Sequence, residues 1–546
     1  MFRKPHGAKG VSKVHYLTTA ALLTMFLQGA AQAKDGGDTK ALDSQLQTVL
    51  KQAGFTGYIE LSLPTRLGRP IDPKIAAVGR ALWFDTITGL HDDNTCGGCH
   101  GPAFGFGDSQ SIAIGIQNNG VVGLSHLREG PRNQRRTPKA LNIAFFPALM
   151  WNGRFNSISG DPFDNSQGFM FPPPEGTIRF GPHDPVLKHL AQAQGEMPPT
   201  ETTEVAGFTG TRGTAFSLGP DFDQFDDGRG AKLPNPDGSG FRNDPIRQAV
   251  LNRLNSIPAY KTLFGSAFPT VAAGAPIDFS MFGRAIAEFE FTLTFATAPI
   301  DLFARGNTSA MTDSQKRGAL IFFGVGDCVA CHAVAGKANE MFSDFKEHNI
   351  GVPQIAPFFG VGKGNVLFDG TGTNEDFGLE QVTGNSNDRY HFRTAPLRNL
   401  ALQPAFFHNG CFTKLEDAIR HHLDVVTSAR NYNPVTAGVD SDLTQRLGPI
   451  DPVLNTLDPL LRSPIALTSD EFKDLVTFVR NGLQDSRVSR SNLCALIPAS
   501  VPSGRALLTF VECVNGANKG PGEDGKDGSG GGGGGNSGPG GGGGGH

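Results

Sequence analysis

The pentapeptide Cys-x-x-Cys-His occurs twice in this chain, as Cys96-Gly97-Gly98-Cys99-His100 and as Cys328-Val329-Ala330-Cys331-His332. Two thiols at this spacing reach the two vinyl groups on one edge of a porphyrin, and the adjacent imidazole is then placed to ligate iron from beneath the ring. The pattern predicts two covalently bound haem c groups, with His100 and His332 as axial ligands. A thioredoxin-like redox pair would not require histidine after both second cysteines. Zinc would need further soft ligands, and the remaining thiols are too few and too scattered to complete two sites.

The motifs sit in a chain that reads as exported. Arg3, Lys4, Lys9 and Lys13 precede the apolar run LTTAALLTMFL, and Ala31-Gln32-Ala33 supplies a small-residue cleavage site. Residues 1–33 are therefore expected to be a signal peptide cut after Ala33, with no membrane span in the mature protein and a periplasmic destination. A formal charge of −4 gives no basic field for nucleic acid. In an oxidising compartment Cys494 and Cys513 either form a disulfide or remain two thiols, with the bridge favoured, and Cys411 is left over.

Apolar residues at three- and four-residue spacing predict helices over Ile75–Phe84, in PIRQAVLNRLNSIPAYKTLF and FGRAIAEFEFTLTFA, from Thr312 or Asp313 through Phe322, and over Thr413–Leu423 and Ser469–Gly482. With 72 Gly and 37 Pro, long loops join them. GRALWFDTITGLHDDNTCGGCH and GALIFFGVGDCVACH echo each other, a duplication of one small helical module. The expected fold is mainly α and loop-rich, with two cytochrome c-like haem domains at 34–243 and 244–514. Residues 34–58 read as a weakly specified lead-in. The Gly-rich stretch 515–546 reads as a disordered tail.

Five stretches in order, VGRALWFDTITGLHDDNTCGGCH, RRTPKALNIAFFPALMWNGRF, AIAEFEFTL, RGALIFFGVGDCVACH and FRTAPLRNLALQPAFFHNGCFTKLEDAI, resemble the di-haem cytochrome c peroxidase family, including its MauG branch. The likeness spans about residues 71–425, and the segment at roughly 190–240 has no clear counterpart. It implies a peroxidatic N-terminal haem and a C-terminal haem that feeds or shares oxidising equivalents. Where family members carry a distal His after a Ser/Ala-Ile-Gly run, this chain has Ile116, which cannot ligate iron. His126 is the alternative ten residues on.

The resemblance also implies a proton-transferring Glu after the Trp151-Asn152-Gly153-Arg154 stretch, for which Glu175 in Pro172-Pro173-Pro174-Glu175 is the candidate. Trp151 takes the place of the relay between haems. The distal ligand of the second haem is expected fourteen residues after His408, at His422. Helical spacing agrees, since Leu415, Ala418, Ile419 and His422 share a face while His421 turns toward Asp417. At the family's calcium position this chain has Arg136, with Gln403 where Thr is common, and a guanidinium would replace the ion's charge. Phe outnumbers Tyr and Trp, 41 against 5 and 2, a bias that either limits stray radical sites or reflects lineage composition.

The expected activity is reduction of hydrogen peroxide. Electrons come from a small cytochrome c or cupredoxin, or from residues of a protein substrate as in the MauG branch. An electron-transfer cytochrome or haem sensor, and a di-haem oxygenase of carbon–carbon bonds, are the rivals.

Overall fold

A computed structural model describes residues 36–357, 369 and 374–515, so the expected signal peptide and the tail beyond Asn515 lie outside the described residues. The lead-in carries a helix, α1 (Gly36–Gln52), whose Leu46 and Leu50 are buried. Leu42, Leu46, Val49 and Leu50 recur at helical spacing, and Asp43 pairs with Lys316 at 2.6 Å. Polar residues between them had masked the stripe.

α2 (Pro73–Phe84) starts at Asp72, whose side chain accepts from the Lys74 and Ile75 amides. α3 (Asn243–Ser256), α4 (Pro258–Ala267) and α5 (Phe279–Thr292) follow a long irregular stretch. α6 (Asp313–Phe323) is capped by Thr312 in a reciprocal arrangement with Gln315. α7 (Leu415–Leu423), α8 (Ser469–Thr477) and α9 (Arg490–Cys494) complete the set used below, with α8 running on into a π-turn at Phe478–Gly482. Strands are two or three residues long among the described residues.

The duplication is visible as two helix crossings. α2 meets α5 at Gly79, where an added Cβ would lie 1.8 Å from the Ala285 carbonyl. α6 meets α8 at Gly318, where a Cβ would lie 2.0 Å from the Asp474 carbonyl. Only glycine permits that backbone approach in a close-packed core.

Packing divides the chain differently from the break expected at 243/244. Ile246, Val250, Tyr260, Phe282 and Phe289 of α3–α5 are buried with Val78, Leu82, Trp83 and Phe84 of α2. The second cluster joins Leu46 and Leu50 to Phe322, Leu415, Phe478 and Val479. The apolar stripe of α5 thus belongs with α2, and the changeover falls near residues 293–298.

The last described residues also return to the first cluster. β2 (Thr509–Phe510) pairs in parallel with β1 (Val121–Val122), and Leu508 and Phe510 are buried there. Cys494 and Cys513 form a disulfide across this strap, with Cα atoms 5.4 Å apart, while Cys411 is a buried free thiol. Replacing both bridge cysteines by serine is expected to lower stability by about 2–4 kcal/mol, measured by denaturant unfolding of the oxidised protein.

Candidate functional site

The second Cys-x-x-Cys-His opens onto an apolar cavity walled by Leu400, Phe406, Phe407, Ile419, Leu475 and Val479. His332 and His422 also line it, their ring centres 6.2 Å apart. His332 Nδ1 faces the Phe342 carbonyl at 2.9 Å, and His422 Nδ1 faces the Ala418 carbonyl at 2.8 Å. As N–H donors to those carbonyls, both rings keep Nε2 as a lone pair. Burial holds both neutral: His332 is lowered to about 4, chiefly by desolvation and then by His422, and His422 is lowered by desolvation. An iron between two imidazoles, at metal–nitrogen bonds of about 2 Å each, separates their ring centres by about 6 Å.

Three cations also face this cavity: Arg136, Lys139 and Arg393. Among the described residues none has a carboxylate within ion-pair distance, and burial lowers them to about 10, 7 and 10. Unpaired buried cations on an apolar slot suit a flat hydrophobic ligand carrying carboxylates, and haem with its two propionates is such a ligand.

At the first motif, His100 Nδ1 lies 3.2 Å from the Phe106 carbonyl, and burial lowers the ring to about 4. Its imidazole packs 5.5 Å from the Trp83 ring. Ile116 is fully buried with Phe208 and Phe225, so its side chain belongs to a small core made by the segment without family counterpart. His126 is exposed on a surface turn and takes no part. That same segment folds a π-turn, Thr202–Ala206, against the Gly115–Ile116 backbone. The Ile116 amide donates to the Thr203 carbonyl at 3.2 Å, and a Cβ on Gly115 would lie 2.1 Å from that oxygen.

The π-turn presents a carboxylate that sequence reasoning missed. Glu204 is pushed up to about 7, first by burial and then by Glu201, against the pull of Arg154. Its field reaches both Cys96 and Cys99. Asn94 ties the turn to the motif, with its side-chain amide 3.0 Å from the Glu204 carbonyl and 3.4 Å from the Cys99 sulfur. A signal existed in the sequence, since Pro198-Pro199-Thr200-Glu201 repeats the Pro-x-Glu pattern just ahead of it.

Glu175 is placed otherwise. It is 3% exposed and bonded to Arg247 at 2.7 and 3.3 Å, with Arg179 at 3.6 Å. Both of its oxygens are committed to a buried ion pair, which leaves Glu175 a structural part rather than a free proton carrier. His421 departs from expectation too: it contacts the Ile350 carbonyl at 2.9 Å and the Ser428 hydroxyl at 3.1 Å, not Asp417.

Between the two sites runs the segment Arg136–Lys139. The Pro138 backbone lies against His100, and Pro138 itself stands in the wall of the second cavity. Trp151 lines that wall and donates Nε1–H to the Arg136 carbonyl at 2.7 Å. The Arg136 guanidinium is enclosed by neutral oxygens, donating to the carbonyls of Asp108 (2.9 Å) and Gln110 and to Gln403 Oε1 (2.9 Å). Among the described residues no group of three His, Cys, Asp or Glu is placed to hold a metal ion.

A mainly helical chain with two such histidine-bearing cysteine loops, joined by a short segment and a tryptophan, belongs to the class of haem oxidoreductases. Residues 73–309 match the family model described as di-haem cytochrome c peroxidase. The match and the curated relatives make this chain similar to the di-haem peroxidases and MauG-like oxidoreductases. It is 27% identical to the methylamine utilization protein MauG of Methylorubrum extorquens, over 66% of this chain and 72% of that one. To the cytochrome c551 peroxidase of Pseudomonas aeruginosa it is 26% identical, over 64% and 72%. The crystal structure of the diheme peroxidase BthA from Burkholderia thailandensis aligns with a TM-score of 0.48 at 19% identity, covering 80% of this chain and 91% of that one.

Proposed function

We propose that this chain is a periplasmic di-haem peroxidase, with one haem c on Cys96, Cys99 and His100 and the other on Cys328, Cys331, His332 and His422. The observation that carries the reading is the asymmetry of the two sites. His422 stands opposite His332 at a metal-bridging distance, whereas Ile116, at the position where the resemblance implies a distal histidine, has no ligating atom and is buried with Phe208 and Phe225. No helix among the described residues is long and apolar enough to cross a membrane.

The haems supply iron that exchanges single electrons and, at the first site, a coordination position for peroxide. Glu204 receives the proton of the inner peroxide oxygen and returns it to the outer one, which departs as water. Its carboxyl, poised near 7, is suited to both transfers. Ile116, Phe208 and Phe225 form a buried apolar core beside the π-turn that carries Glu204. Trp151 couples the sites across Arg136–Lys139, and Arg136 holds a fixed positive charge beside it. A small cytochrome c or cupredoxin returns the two electrons that peroxide takes.

One observation favours a second reading. Imidazole at His422, where a thioether would stabilise ferrous iron, lowers the potential of the second haem and eases its oxidation. That suits a MauG-like outcome, in which the electrons come from Trp or Tyr of a protein partner. EPR of the oxidised protein tests both readings, and one high-spin and one low-spin ferric haem are expected. Two low-spin haems inert to peroxide would leave only an electron carrier. Fast oxidation of a reduced cytochrome separates the peroxidase from the MauG-like outcome.

The Arg136 cage gives a further expected result. Chelation with EGTA leaves turnover unchanged, because the guanidinium already occupies the oxygen cage, and Arg136→Ala slows turnover. Activity lost to EGTA and restored by calcium would overturn this role for Arg136.

A further inference from the structure

We infer that Trp83 is a second oxidisable residue of the first site, giving up one electron when peroxide is reduced there and holding one oxidising equivalent in the core. The inference rests on the peroxide reading above and adds a residue to it.

The chain has 41 Phe but 2 Trp. Both tryptophans stand at the candidate redox sites: Trp151 lines the second cavity, and the Trp83 ring lies 5.5 Å from that of His100. The duplicated module supplies an internal control. Beside His332 the corresponding place on α6 is filled by Phe322, with ring centres 6.3 Å apart. Phenylalanine therefore packs against the proximal histidine of this module, and packing alone does not call for an indole at residue 83.

The indole is the costlier choice. Trp83 is 1% exposed, and its Nε1 has no hydrogen-bond acceptor among the described residues. A buried N–H without a partner loses its bond to water, a loss that Phe avoids. What the indole adds is a π-system that yields an electron far more readily than benzene. Its wall is suited to containing the product. Phe106 and Phe289 lie at 6.0 and 5.5 Å, both resistant to oxidation, and water is excluded.

The electrons balance. Reduction of one hydrogen peroxide to two waters consumes two protons and two electrons. One electron comes from the iron of the first site and one from the Trp83 π-system, with no bond broken in the side chain. With no acceptor for Nε1 among the described residues, its proton stays and the residue becomes a cation radical. The reduced donor protein then returns two electrons, one to the first site and one to the indole.

The test mixes the holoprotein, both haems loaded, with one equivalent of hydrogen peroxide in the absence of donor, freezes it, and records EPR. A protein radical is expected whose signal narrows when the tryptophans carry a deuterated indole. Trp83→Phe loses that signal and Trp151→Phe keeps it. Peptide mapping of wild type after repeated peroxide exposure is expected to find oxygen added to Trp83, a readout that does not depend on any variant folding. Haem content and thermal stability of Trp83→Phe should match wild type, given Phe322 at the sister site.

A radical that survives in Trp83→Phe, or that indole deuteration leaves unchanged, overturns the inference. So does a variant altered only in haem retention or potential, which would make the indole a structural contact. If the high-spin signal of wild type fails to respond to peroxide at all, the peroxide reading itself falls. If it responds and the radical lies elsewhere, only the role of Trp83 does.

Discussion

Glu204→Gln is expected to slow peroxide turnover by about 10²–10⁴-fold while leaving both haem spectra intact. The amide keeps the shape of the π-turn but cannot accept the peroxide proton. Glu175→Gln is expected to behave in the opposite way. It leaves Arg247, itself almost fully buried, without the carboxylate that meets it at 2.7 Å. Breaking a buried pair from one side costs about 3–5 kcal/mol, so the melting temperature falls while the protein that remains folded keeps its turnover. Steady-state rates and thermal melts of the two variants side by side decide between the carboxylates. Turnover lost in Glu175→Gln at unchanged stability would return the proton-carrying role to that residue.

The pH profile follows from the same group. Glu204 must be ionised to take the first proton, and its carboxyl lies near 7 because burial and Glu201 disfavour the charge. The ionised fraction grows as pH rises through that value, so the rate of reaction with peroxide climbs from acid to neutral pH and levels above it. Glu204→Gln removes this rise. A wild-type profile that is flat across neutrality would count against the assignment.

The second large effect is at the other haem. His422→Ala leaves His332 as the one axial imidazole, and the low-spin ferric signal is expected to give way to a high-spin one. The first haem's signal should not change. His422→Met restores six ligands but replaces imidazole with thioether, which raises the potential by some part of the roughly 0.8 V that axial ligands span. Spectroelectrochemical titration of wild type and the two variants measures both changes. A low-spin signal untouched in His422→Ala would mean that another residue closes the second iron.

How much of this was legible in the sequence differs from residue to residue. His422 was reached by counting along one helix, because α7 repeats at a fixed angle and puts Leu415, Ala418 and His422 on a common face. The structure adds the distance to His332 and the Ala418 carbonyl that orients the ring. His421 was misread by the same method. Its partners, Ile350 and Ser428, come from outside the helix turn that periodicity describes.

Glu204 and Glu175 show the limit more sharply. Both follow Pro-rich stretches, and nothing local separates them. Glu175 is neutralised by Arg247, 72 residues on, and Glu204 is brought to the first motif by Asn94, 110 residues back. The strap that closes on β1 is a still longer connection, and no pattern within the last thirty described residues announces it.

The sequence alone determined what is encoded over a few residues: two thiol–imidazole loops fit for haem, and the helices whose apolar faces repeat at their own period. Tertiary structure alone decided which carboxylate is free, which is locked to an arginine, where Ile116 buries its side chain, and which indole touches His100. The physical reason is that bond-forming motifs and helical faces depend on near neighbours. Solvation, ion pairing and ring contact depend on whichever distant segments the chain brings against them.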